Sequence, residues 1–212
     1  PAGAEWMATH DQSLFCDVFC EVGAFDVAQT RRILQKAAEL GFGLKVHADE
    51  FEGLGGTKLA VELGAISADH LVRTPDEDIA ALGAGDTIAV GLPGTPFGLA
   101  HSEYTPARQI LAADGALALA TDCNPGTTWN ESMQMVIALG CRYMGLTQAQ
   151  ALAAATINAA YAIGRGDEVG SLEAGKQADI LILSAPDYRQ LGYRYGTNLV
   201  ETVIKKGRAV NN

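Results

Sequence analysis

Positive charge is scarce in this chain: 15 lysines and arginines stand against 25 aspartates and glutamates, a formal net charge of -10. A nucleic-acid or anionic-membrane surface requires a basic face, so this balance argues against both as partners. Long apolar runs are also missing. No uninterrupted run approaches the length of a bilayer span, and the start shows no basic-then-apolar leader pattern. Cysteine is limited to Cys16, Cys20, Cys123 and Cys141. Cys16 and Cys20 lack a second pair at zinc-ribbon spacing, so the four are read as reduced, mostly buried thiols of a cytosolic protein. Trp6, Trp129 and the tyrosines near Tyr193 make no stacking ladder for single-stranded nucleic acid.

What is present suits an α/β enzyme. Glycine and alanine are abundant, and 212 residues bury a sizeable core as one domain or one plus a small appendage. The chain opens at Pro1 rather than Met and is read as processed, cut or the tail of a longer protein. Pro1 to Leu14 reads as coil with one helical turn at most. Cys16 to Glu21 alternates like a strand, and Asp26 caps a helix to about Leu40 whose buried stripe is Val27, Ile33, Leu34, Ala37 and Ala38. Strands follow at 44–48, 65–70, 86–92 and 116–121, with helices at 57–63, from 74, 105–113, 131–143 and 147–163 between and after them. Thr74-Pro75-Asp76-Glu77 and Thr147-Gln148-Ala149-Gln150 read as capping boxes. Gly53-Leu54-Gly55-Gly56 lacks the Gly-Lys-Ser/Thr ending of a phosphate loop and reads as a plain turn.

This alternation at intervals of roughly 20 to 30 residues is the βαβ rhythm of a parallel sheet. After Gly164 the pattern changes to short strands at 169–175, 178–183 and 199–210 without helices, a separate small β unit. A complete eight-stranded barrel takes about 250 residues. The expectation is therefore the second half of a (β/α)8 barrel over 1–165, followed by part of a small β-sandwich over 166–212.

Three strand ends carry chemistry. His47 closes the second strand, where a neutral imidazole suits Zn²⁺ or Fe²⁺, and Glu50 lies three residues on with the reach of a general acid or base. His70 repeats the arrangement on the next strand, with Asp69 expected on the opposite face because strand neighbours alternate. Asp122 ends a strand of small apolar residues, a position from which a carboxylate can accept a proton from metal-activated water. Each signal is weak singly. His47, His70 and Asp122 together at the C-terminal ends of barrel strands point to a site. His10 and His101 read as surface polar residues, and Met133 and Met135 as core packing.

His47-Ala-Asp-Glu50, Ser67-Ala-Asp-His70, Leu92-Pro-Gly-Thr95 and Thr121-Asp122-Cys-Asn124-Pro-Gly126 together resemble the imidazolonepropionases, metal-dependent cyclic amidohydrolases of histidine degradation. Asp17-Val-Phe-Cys-Glu21, Arg31-Arg32-Ile33-Leu34, the stretch Val169 to Asp179 and Val203-Ile-Lys-Lys-Gly207 resemble them too. The resemblance implies a barrel with one Zn²⁺ or iron per active site, His47 and Asp122 among its ligands. It implies Glu50 as substrate-contacting acid/base, His70 as catalytic histidine, and Asn124, Gly126 and Thr127 as substrate-holding positions. The implied reaction is hydrolytic opening of 4-imidazolone-5-propanoate to N-formimino-L-glutamate, with a small-molecule substrate, no nucleic-acid or membrane partner, and a homodimer as one assembly. The superfamily's His-x-His pair is absent here, which implies the carboxy-terminal part of such an enzyme, binding metal weakly and turning over little or nothing by itself. Two other readings stand beside it: a metal-dependent purine or pyrimidine aminohydrolase, and a non-catalytic barrel segment serving binding or assembly.

Overall fold

The computed structural model describes Gly3, Glu5 and residues 14–210; Trp6, His10 and most of the stretch expected as coil lie outside the described residues. In chain order the elements are β1 (Phe15–Cys20), α1 (Val27–Glu39), β2 (Gly43–Ala48), α2 (Gly56–Glu62), β3 (Ser67–His70), α3 (Asp76–Ala84), β4 (Ile88–Gly91), α4 (Gly94–Gly98), α5 (Ala107–Ala112) and β5 (Leu117–Leu119). Then come α6 (Met133–Tyr143), α7 (Gln148–Ala154), α8 (Ile157–Tyr161), β6 (Ile180–Leu183), a 3₁₀ turn (Tyr188–Gln190), β7 (Val200–Lys205) and β8 (Arg208–Val210). The chain divides into two compact units, Pro1–Gly91 with Thr105–Leu117, and Leu92–Tyr104 with Ala118–Asn212.

Strands β1 to β5 form one sheet in strict chain order, with β1–β2, β2–β3 and β3–β4 parallel. A doubly wound sheet reverses its strand order part-way; an arc of consecutive parallel strands separated by helices is what a β/α barrel uses. Register aligns Val18 with Val46, Val46 with Ala68 and Ala68 with Ala89, all four buried. That row faces the helices, since a Cβ added at Gly56 in α2 would sit 2.9 Å from Ala48 Cβ and 3.3 Å from Cys20. The alternate row, Asp17, Lys45 and Ser67 with Phe19, His47 and Asp69, is unusually polar.

Local chemistry explains most boundaries. Asp26 accepts from Gln29 N and Gln29 returns a bond to Asp26 N, a complete capping box for α1. The helix buries Thr30, Leu34 and Ala37 at i, i+4 and i+7, while Ala38 is exposed, which corrects the expected stripe. Thr147 and Gln150 complete the second box, but the helix there stops after Ala154. Thr156 adopts φ -126, ψ -91 and its hydroxyl bonds back to Leu152 O at 2.7 Å, so the expected single helix to Ile163 becomes α7 and α8. The Thr74 box does not form. Pro75 is the cap of α3 without a side-chain bond, because the Thr74 hydroxyl is spent on Asp49.

The closing β unit is an antiparallel sheet β6-β7-β8, with β7 and β8 joined through Lys206 and Gly207. The expected strand at 169–175 is absent: Gly170 and Gly175 have φ of 97° and 95°, which breaks an extended run. Among the described residues no helix is long and apolar enough to cross a membrane.

Candidate active site

In the first unit, the ends of β1, β2 and β3 bring polar side chains together. His47 leaves β2 with Nδ1 2.9 Å from Asp17 Oδ1 on β1. A carboxylate there favours the Nδ1–H tautomer, which leaves the ring's lone pair on Nε2, the atom a metal would take. The His47 and His70 rings lie 5.2 Å apart between centroids, with nitrogens offered within 4.8 Å of one another. His70 Nε2 is 3.6 Å from Glu50 Oε2, both side chains being buried. The geometry therefore gathers His47, Glu50 and His70.

Strict alternation would place His70 on the helix side, opposite Asp69. Instead both approach His47. His70 and the following Leu71 have φ of 78° and 60°, and alternation holds only while the backbone stays extended. The Thr105 hydroxyl donates to His70 O at 2.6 Å and pins this turn. Asp49, at φ 52°, is left-handed as well, as is Asp122 at φ 51° in the second unit. Left-handed non-glycine residues at the ends of β2 and β3 and just after β5 match the tendency of backbone strain to gather at functional sites.

His47 belongs to a second grouping, with Asp17 and Asp69. That side already holds a cation: Lys45 Nζ lies 3.8 Å from Asp69 and bonds Ser67, whose hydroxyl donates to Asp69 at 2.7 Å. Burial pushes the Asp69 carboxyl above its ordinary range, and the Lys45 ammonium and Ser67 hydroxyl draw it partly back. An ammonium disfavours a second cation there. The His47–His70 side, with imidazole donors and a carboxylate fixing one ring, fits a divalent ion.

Two residues that sequence reasoning passed over hold this arrangement. Glu21, 3% exposed, accepts from Val22 N, Phe51 N and Glu52 N at 2.8, 2.9 and 3.3 Å. Asp49, fully buried, accepts from Leu54 N, Thr57 N, Thr57 Oγ1 and Thr74 Oγ1. A carboxylate in a loop reads as solvated polarity in sequence; only its acceptor role in the fold marks it.

In the second unit, Asp122 accepts from the Thr95 hydroxyl of α4 at 2.5 Å, with Thr95 1% exposed. The Leu92-Pro-Gly-Thr95 motif thus presents a donor to the candidate ligand. Its glycine is needed because a Cβ at Gly94 would sit 2.9 Å from Thr128 Oγ1. Asn124 organises the next turn: Nδ2 donates to Asp122 O at 2.7 Å, and Oδ1 accepts from Gly126 N and Thr127 N at 2.8 and 2.9 Å. Asp122, Asn124, Gly126 and Thr127 form one connected turn. Cys123 beside them is exposed; of the four free cysteines only Cys20 is buried, so the expectation of mostly buried thiols is corrected.

Residues 20–210 match the model of the Amidohydrolase family. The chain belongs to that family. It is 59% identical to the imidazolonepropionase of Herpetosiphon aurantiacus, an alignment covering 99% of this chain and 50% of that protein. Identity to the imidazolonepropionase of Geobacillus kaustophilus is 52%, covering 93% and 46%. The chain spans about half the length of the curated relatives it matches. In fold it is similar to an adenosine deaminase from Xanthomonas campestris with bound zinc, at a TM-score of 0.76 and 21% identity over 98% of this chain and 55% of that one. For an amidohydrolase chain, candidate residues at the C-terminal ends of parallel strands are where a barrel of this kind keeps its site.

Proposed function

We propose that this chain carries the acid/base machinery of a metal-dependent cyclic amidohydrolase that hydrolyses 4-imidazolone-5-propanoate to N-formimino-L-glutamate. One observation carries the reading: His47 and Glu50 from the end of β2 meet His70 from the end of β3, in a chain 59% identical to an imidazolonepropionase. On this reading residues 1–165 are the barrel segment and 166–212 the sandwich segment. His47 and Asp122 are ligands to one zinc or iron ion, and the site works in the cytoplasm, where free cysteines persist. When bound, the ion supplies the Lewis acidity that lowers the pKa of water toward neutrality.

The remaining work falls to side chains. Hydrolysis adds water across the bond between the ring carbonyl and its nitrogen. Asp122 or His70 takes the water's proton, and Glu50 manages the proton at the leaving ring nitrogen. The burial of Glu50 keeps that exchange away from bulk water. Asp17, through Nδ1 of His47, holds the imidazole in the tautomer that coordination needs. Asn124, Gly126 and Thr127 hold the substrate's polar edge.

A panel of cyclic amides and aminated purines and pyrimidines, with zinc or iron added, tests the reading. The chain is assayed alone and together with the segment of the Herpetosiphon relative outside the match. Ring opening of imidazolone propionate by the mixture, little or none by the chain alone, and no ammonia release from the bases are expected. Ammonia release from a base would install an aminohydrolase instead. Substitution of His70 without effect on any turnover would leave a binding or assembly segment.

A further inference from the structure

Asp49 lies between Glu50 and the metal-side histidine in sequence, yet its side chain turns away into a fully buried hub. Its Oδ1 accepts from Leu54 N at 3.1 Å in the connection from β2 to α2, and its Oδ2 accepts from Thr57 Oγ1 at 2.6 Å in the first turn of α2. The same Oδ2 accepts from Thr74 Oγ1 at 3.2 Å, and the Asp49 carbonyl accepts from Arg73 N at 2.7 Å. Those two donors belong to the other connection, the one that follows His70. Thr57 and Thr74 hydroxyls also contact each other at 3.1 Å, closing the hub. Glu21 fixes the far side of Glu50 through the Phe51 and Glu52 amides.

We propose that Asp49 is a positioning residue: it fastens the Glu50 loop to the loop after His70 and so sets the 3.6 Å approach of the two side chains. The assignment rests on the functional reading above for the importance of that approach, but the coupling itself is a property of the fold. The φ of 52° at Asp49 is what aims the carboxylate inward while Glu50 continues along the loop. A left-handed aspartate is tolerated because its short side chain can satisfy neighbouring donors. Sharing one acceptor between two loops means that neither can shift without stranding a buried hydroxyl or amide, the costly outcome inside a protein.

Thr74→Val removes the hydroxyl donor of the second loop, leaves the Arg73 N bond to the Asp49 carbonyl, and keeps the side-chain shape; Thr74→Ser restores the hydroxyl. Peptide-resolved amide hydrogen exchange on the 212-residue chain reads the coupling with no need for turnover. The valine variant is expected to raise exchange roughly five- to tenfold in both 51–57 and 71–74, with β7 and β8 unchanged and the serine variant at the wild-type level. Faster exchange in 71–74 alone, with 51–57 as in wild type, overturns the proposal. In the ring-opening assay the valine variant should lose kcat with KM nearly unchanged, and serine should recover it. Loosening of both loops with kcat intact overturns the positioning role. A wild type without turnover even when mixed with the Herpetosiphon segment outside the match counts against the functional reading, while the exchange comparison still decides the coupling.

Discussion

Replacing Glu21 with glutamine changes one oxygen to an NH₂ group and leaves shape and volume almost untouched. The consequence is electrostatic. The native carboxylate takes three backbone N–H groups at 2.8 to 3.3 Å from a position 3% exposed. Glutamine keeps a single acceptor oxygen, so either Val22 N or the pair Phe51 N and Glu52 N must face an amide donor. Bonds to a charged acceptor contribute about 1.5–3 kcal/mol and neutral ones about half that, and stranding a buried donor costs about 1–3 kcal/mol. Together these give a loss of about 2–4 kcal/mol, a large share of the roughly 5–15 kcal/mol that holds a domain together. Urea unfolding followed by circular dichroism should show the midpoint fall by about 1 M or more, for a slope near 2 kcal/mol per M. Exchange at Phe51 should rise in parallel. Glu52→Gln, on an exposed side chain of the same loop, should stay within about 0.5 kcal/mol of wild type. If Glu21→Gln matches that control, the clamp on the Glu50 loop is not what the geometry says.

Three other expectations follow from single contacts. Asp17→Asn weakens the hydrogen bond that orients His47; divalent-metal affinity, measured by competition with a chromophoric chelator, should fall about 10- to 100-fold, and an unchanged affinity would place Asp17 outside the site's support. Gly83→Ala puts a Cβ 1.7 Å from Ala113 O, a backbone atom, where α3 crosses the end of α5; the loss should reach about 3 kcal/mol or more, and a wild-type midpoint would mean that the crossing is looser than it stands. Asp179 is held at about 2, below the ordinary 3.8, first by the Lys205 ammonium and then by Lys206 N–H. A depressed acid stabilises the fold when ionised, so its contribution is full above about pH 4 and is lost as pH falls toward 2. Carboxyl-carbon NMR titration should put its midpoint near 2; a midpoint at the ordinary value would dissolve the Lys205 pairing.

What could be read from the sequence, and what could not, divides along a physical line. Asp26 and Thr147 announced their helices because a cap and its partner three residues on are a local circuit. His47 and His70 stood out because their imidazoles recur at the ends of successive strands with a carboxylate at a third, a pattern one core histidine does not make. Thr74 misled: its spacing fits a cap, but a buried carboxylate from another loop competes for the hydroxyl. The break at Thr156 depends on a hydroxyl bonding back to Leu152 and on the close approach of Gly170, 3.0 Å from Thr156 O for an added Cβ. Glu21 and Asp49 were illegible because their donors come from loops 31 and 25 residues away at the farthest. The turn of His70 toward His47 was hidden too, since a left-handed residue reverses the strand's alternation without any mark in composition.

The most direct test of the account is loss of imidazolone absorbance when 4-imidazolone-5-propanoate is given to the chain with zinc or iron, alone and with the Herpetosiphon segment outside the match. The account predicts ring opening in the mixture, with little or none by the chain alone, that His70→Asn and Glu50→Gln each abolish while both variants stay folded. Undiminished ring opening in those two variants, or none in any wild-type mixture that binds metal stoichiometrically, would contradict it.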